Sequence, residues 1–184
     1  MIFSFLKCRT LKAKGLIALL ALVPLHAHAQ GAAPAMFGVE DIIIQFPHFG
    51  NDKTADACGL DAQTISDAIE QTLQESKVPV MAVATAKPSM VGVARINLLS
   101  DVFSFNNQGL DCTSWISLTA ESHNSVRIPP VDTIRNVTVT YWREGTMLSS
   151  SQSTHAHLVI DTARKLASHF AQQYKVDQPP SVAK

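Results

Sequence analysis

The chain has 184 residues, with 15 basic and 15 acidic side chains and three cysteines. That length suits one domain, and its basic residues form no stripe of the kind that nucleic acid or an anionic membrane surface requires. No apolar run approaches the roughly 20 residues that cross a bilayer as a helix.

Lys7, Arg9, Lys12 and Lys14 precede an apolar run from Leu16 to Leu25, which closes on Ala27-His28-Ala29. A charged start, a short apolar middle and a small-x-small end predict a secretory signal peptide over 1–29, cleaved before Gln30. The expected location is the periplasm. Four of the basic residues and Cys8 leave with this leader, so the mature chain is net acidic. No cysteine lies just after the cleavage site, which argues against a lipid anchor. Cys58 and Cys112 remain as a pair in an oxidising compartment, and the simplest reading is a disulfide. It would close a loop of about 55 residues and stabilise by roughly 4 kcal/mol through the unfolded state.

Residues 30–59 read as an N-terminal arm and loop. Gly31 to Gly38 lacks periodicity, Asp41 to Phe46 is a β-branched run ending at Pro47, and His48 to Gly59 carries turn residues. An α+β domain is expected over 60–176. Its first helix runs from Ala62 to Ser76, with Asp61 as N-cap, a Leu60/Ile65 staple, and Ile65, Ala68, Ile69 and Leu73 on one face. Strands follow at Val78 to Ala84, Val91 to Leu99, Leu110 to Glu121 and Ile134 to Trp142. Asn106 to Gly109 and Pro129-Pro130 mark connections, and Met147 to Ser149 forms a short return after a Glu144-Gly145 turn. A last helix, from Thr154 to Tyr174, carries Val159, Ala163, Leu166, Phe170 and Tyr174 on one stripe. Residues 177–184 form a flexible tail. The expected fold is a two-layer sandwich: an antiparallel meander of about four strands, two helices packed on one face, and an extended N-terminal arm.

Alternation along the strands puts Ala94, Ile96, Leu98, Cys112, Ile116, Leu118, Ala120, Val137, Val139 and Tyr141 on the helix side. Arg95, Trp115 and Trp142 fall on the other. Either the arm, with Phe37 and the Ile42–Ile44 run, folds over these rings, or the face stays open. An open face would dock a protein partner, since Trp and Arg anchor interfaces, or serve as a carbohydrate platform. The residues expected to bind a partner are Phe37, Ile42, Ile44, Phe46, Arg95, Trp115 and Trp142.

Motifs for chemistry are few. His48, His123, His155, His157 and His169 show no i,i+4 pair, and each is expected at the solvated surface. His155 and His157 diverge on a helix. Ser149-Ser150-Ser151 has no Gly-x-Ser-x-Gly elbow, the glycines make no phosphate loop, and Asp52 and Asp56 lack calcium-loop spacing. A small hydrolase would have only His48, Asp52 and Cys58 to draw on. No catalytic, cofactor-binding or metal-binding residue is assigned.

Across residues 60–175 the Leu60–Leu73 helix, the Val91–Leu99 and Leu110–Glu121 strands, the Thr140–Trp142 strand end and the Val159–Tyr174 helix resemble a group of secreted bacterial α+β proteins. Within it, size, leader and layout are similar to the small third subunit of the membrane-bound quinoprotein alcohol dehydrogenases of acetic acid bacteria. The resemblance implies a non-catalytic periplasmic accessory subunit that stabilises or couples a larger oxidoreductase. Its partners would be a dehydrogenase subunit holding pyrroloquinoline quinone (PQQ) and a cytochrome c subunit holding haem c, which passes electrons to ubiquinone. This chain would hold neither cofactor and would lie on the inner membrane only through its complex. The alternative is a free-standing envelope module that binds glycan, peptidoglycan or an outer-membrane protein.

Overall fold

The computed structural model describes residues 35–82, 95–107, 110–130 and 133–178. The expected leader, the first residues of the arm, the start of the second predicted domain strand and most of the C-terminal tail lie outside them. The element order is β1 (Asp41–Ile44), β2 (His48–Phe49), α1 (Asp52–Ala57), α2 (Ala62–Glu75), β3 (Val80–Ala82), β4 (Arg95–Asn107), β5 (Asp111–Ile128), β6 (Thr133–Ser151) and α3 (Gln152–Asp177).

The fold is α+β, but the sheet is not the expected four-stranded antiparallel meander. Among the described residues it is a mixed, six-stranded sheet in the order β3-β1-β4-β5-β6, with β2 pairing β4 beyond the end of β1. β1 runs parallel to both β3 and β4, and only β4, β5 and β6 are antiparallel neighbours. The segment expected to be an arm is therefore part of the domain. β1 sits between two strands, and Met36, Val39, Ile42 and Ile44 are core residues. Polar bonds secure the same segment to the end of α3. Met36 N–H donates to Asp177 Oδ2 at 3.1 Å, and the Tyr174 hydroxyl donates to the Val39 carbonyl at 2.8 Å.

The helices form where the sequence carries caps and stripes. Asn51 and Asp61 side chains accept the Thr54 and Thr64 N–H groups at the starts of α1 and α2, satisfying donors that have no partner within the helix. Ile65, Ala68, Ile69 and Leu73 of α2 are buried, as are Val159, Ala163, Leu166, Ala167, Phe170 and Ala171 of α3. α3 packs against α2, β5 and β6. Ile96, Leu98 and Val102 of β4, and Cys112, Ile116, Leu118 and Ala120 of β5, complete the same core. The Cys58–Cys112 disulfide ties the end of α1 to the start of β5.

Two local features depart from the expected strands. β6 is continuous through Glu144 and Gly145, so the turn and short return are absent. A β-bulge lies between Ala120 and Glu121: Ala120 pairs Trp142 but Glu121 pairs Thr140. The extra residue reverses the parity of β6. Trp142 consequently lies with the core, its ring 5.3 Å from that of Phe170, and not beside Trp115. Beyond the bulge, Val139 is exposed rather than covered.

Candidate functional site

The parity opposite the core carries an apolar row. Register places Phe103 of β4 opposite Trp115 of β5, and Trp115 opposite Met147 of β6. Their exposures are 44 %, 40 % and 70 %, and Phe105, two residues further along β4, is at 73 %. Side chains directly opposite on one face lie in contact range, so these residues form a continuous stripe across three strands. Two glycines shape it. A Cβ on Gly145 would stand 2.6 Å from the Trp115 ring and 2.8 Å from Ser117 Cβ, so the ring lies across the backbone of β6. A Cβ on Gly50 would collide with the Phe103 ring, whose other neighbour is the edge-on His48 ring at 6.2 Å.

Polar pairs continue this face toward the other end of the sheet. Arg95 Nε donates to Asp41 Oδ2 at 3.0 Å, Gln45 Nε2 donates to Asn97 Oδ1 at 3.0 Å, and His48 Nδ1 stands 3.4 Å from Asp101 Oδ1.

The residues expected to bind a partner are not brought together. Trp115 is on the open face, while Phe37 and Phe46 are exposed elsewhere, at 55 % and 61 %. Ile42 and Ile44 are buried in the core on β1, so they neither fold over Trp115 nor reach a partner. Trp142 packs on Phe170. Arg95 is half-buried in its pair with Asp41. The residues that do join Trp115 are Phe103, Phe105 and Met147. Their signal was the alternation Val102-Phe103-Ser104-Phe105-Asn106, which carries β4 eight residues past Leu99.

The candidate hydrolase group is not assembled either. Cys58 is in the disulfide, His48 pairs with Asp101, and Asp52 is exposed in the first turn of α1. A different hydroxyl–imidazole chain lies at the same end of the sheet. His155, expected at the surface, is fully buried in the first turns of α3. Its Nε2 is 2.7 Å from Ser114 Oγ, and its Nδ1 is 2.9 Å from Ser150 Oγ. Ser114 Oγ is in turn 2.7 Å from Ser104 Oγ. Burial pushes the His155 pKa below its ordinary 6.5, favouring the neutral ring, in which one nitrogen donates to a serine hydroxyl and the other accepts from one. Ser104 lines an open groove of about 360 Å³ between β4 and the start of α1, with Asn51, Thr54, Phe105 and Asn106 around it.

Among the described residues, no cluster of three His, Cys, Asp or Glu side chains is placed to hold a metal ion, and no helix is long and apolar enough to cross a membrane. No protein-family model and no curated protein sequence matches the chain.

Proposed function

We propose that this chain is an accessory protein of the bacterial periplasm that docks on a larger partner through the outer face of β4, β5 and β6. The observation that carries the reading is the Phe103–Trp115–Met147 row, apolar and in register across three strands. Aromatic and methionine side chains are the residue types that interfaces collect. A contiguous apolar patch on a monomer marks a contact surface. The disulfide suits an oxidising compartment. Residues 60–176, together with the Met36–Ala57 segment, are taken as a two-layer sandwich whose helices cover one face and leave the other to the partner. The layout-level resemblance narrows that partner to a quinoprotein alcohol dehydrogenase. Its catalytic subunit would hold PQQ and its cytochrome subunit haem c, and this chain would reach the inner membrane only through them.

A second reading, an envelope module for glycan or peptidoglycan, draws on the polar pairs beside the row. Gln45–Asn97 and His48–Asp101 would offer hydrogen bonds next to rings on which a sugar could stack.

Affinity isolation of the native chain from the membrane fraction tests the first reading. A much larger, haem-bearing complex is expected to accompany the wild type and to be lost at least tenfold with the pair Trp115→Ala and Met147→Ala. Recovery of the wild type alone, or full retention of the partner by the variant, would overturn it. Retention on insoluble peptidoglycan, dependent on Trp115, would select the second.

A further inference from the structure

We propose that the outer edge of β6 pairs with the same edge of a second copy of this chain, in an antiparallel ladder whose two-fold axis passes through Met147. The inference goes beyond the docking reading: it rests on the edge of the strand and not on the outer face of the sheet.

The direction of the backbone groups follows from the ladder. Gln45 N–H donates to the Leu98 carbonyl and Gly50 N–H to the Val102 carbonyl, so the even-numbered residues of β4 face β1 and β2. Backbone groups alternate in direction along a strand, so the odd-numbered residues of β4 bond to β5. Register then turns Trp115 and the other odd residues of β5 toward β4, and turns Ser114, Ile116 and Leu118 toward Leu148, Thr146 and Glu144 of β6. The backbone groups of Arg143, Gly145, Met147 and Ser149 therefore point away from the sheet, as does the Ser151 N–H. Among the described residues no strand pairs this edge.

Such an edge is a template for another strand. From Arg143 to Ser151 it has no proline, no lysine and no bulge, the devices that protect edges. It is also complementary to itself. Antiparallel pairing centred on Met147 sets Gly145 opposite Ser149 of the second copy, Arg143 opposite Ser151 and Glu144 opposite Ser150, so no like charges meet. A centre on Arg143 or Glu144 would oppose like charges. A centre one residue before Met147 would set that side chain against Gly145, where no side chain meets it. On the Met147 axis the 70 % exposed thioether faces its own copy, and the Phe103–Trp115–Met147 row runs on into the same row of the second molecule.

The helices fit this arrangement. α3 packs against both β5 and β6. Strands lie about 4.8 Å apart, so two copies of α3, each astride its own β5–β6 pair, would run about 10 Å apart, within the spacing of packed helices. Thr162 and Lys165 of α3 line a groove of about 340 Å³ with Thr146 and Met147 of β6. Leu158, 37 % exposed, precedes Thr162 by four residues on the same side of the helix. The second copy would close that groove.

The test is sedimentation equilibrium of the processed, disulfide-intact chain, with oxidative cross-linking of Met147→Cys. The wild type is expected as a dimer. On this axis the two copies of position 147 form a hydrogen-bonded pair with Cα atoms about 5.5 Å apart, within disulfide reach, so Met147→Cys should give a covalent dimer. Ser149→Cys should not, because its two copies would be about 14 Å apart. Met147→Pro removes an N–H that faces outward and leaves the β5 ladder whole; it should weaken the dimer at least about tenfold. Met147→Leu, which keeps that donor, should stay dimeric. Trp115→Ala breaks the docking row but keeps the edge, so it should remain a dimer, and the two readings fail separately. A wild type that stays monomeric throughout the concentration series overturns the proposal. So does a dimer that links through Ser149→Cys and not Met147→Cys, or one that is lost in Trp115→Ala and kept in Met147→Pro.

Discussion

β5 spans two environments without a break. From Cys112 to Ala120 its alternate residues are fully buried, and α3 packs against the sheet there. Past the bulge, residues 121–128 pair with residues 133–140 in the same antiparallel ladder, yet Ile134 is 65 % exposed and Val139 38 %. Pairing and alternation are the same in both stretches; what differs is the element laid against them. Alternation thus assigns a side chain to a face, while burial is decided by what covers that face. A two-stranded ribbon is marginal by itself. This one is held at its root, where the Ser122 and Tyr141 hydroxyls are 2.8 Å apart, and further out by Ser125 Oγ, which donates to Asn136 Oδ1 at 2.8 Å.

The largest effects belong in the covered half. Phe170 and Ile116 are fully buried, and each truncation to Ala should cost about 3–5 kcal/mol in transfer energy and cavity, read as a lower urea midpoint at unchanged slope. Replacing Cys58 and Cys112 together by Ser releases a loop with a sequence separation of 54. The loss should be about 2–4 kcal/mol, measured as a fall in thermal midpoint relative to the wild type without reductant.

A smaller effect is expected where the open face meets the backbone. Gly145→Ala would put a Cβ 3.0 Å from the Ile116 carbonyl as well as against Trp115 and Ser117. β6 or the indole ring must yield, at about 1–3 kcal/mol, and a ring lifted into water shifts tryptophan emission to the red. Unchanged emission would mean that Trp115 does not lie across Gly145 in solution.

Much of the covered half was legible in the sequence. α2 and α3 announce themselves through their stripes and through Asp61, and the even cysteine pair implied its bridge. Alternation on the antiparallel strands also sorted Ile96, Leu98, Ile116 and Leu118 correctly. Three things were not legible. The insertion of β1 between β3 and β4 is a long-range parallel pairing that leaves no local signature. The bulge after Ala120 shifts register by one residue, and one residue is enough to move Trp142 from the open face to the core. The hydroxyls around His155 come from β4, β5 and β6, so only the folded sheet brings them together. Within α3, His155 does precede Val159 by four residues on the buried stripe, a hint that it would be covered.

That burial also sets a pH dependence. The His155 pKa is pushed below 6.5 in the folded chain, so the unfolded chain binds its proton first as the pH falls. The contribution to stability is complete above the unfolded value and is lost between about 6.5 and the folded pKa. Urea midpoints taken at pH 7.5 and 5.5 should therefore fall less in His155→Gln than in the wild type. An equal fall would mean that His155 titrates alike in both states.

The smallest effect is expected on the distal ribbon, and there a large one would be the more instructive. Ile134→Ser replaces an apolar side chain that is mostly in water, and exposed substitutions of this kind usually change stability by no more than about 0.5 kcal/mol. Ile116→Ala, on the same ladder but under α3, is the internal standard. If Ile134→Ser instead approaches the cost of Ile116→Ala, and the cost grows with protein concentration, then the ribbon is covered by another protein molecule. The uncovered alternation past Glu121 would then belong to an interface and not to solvent.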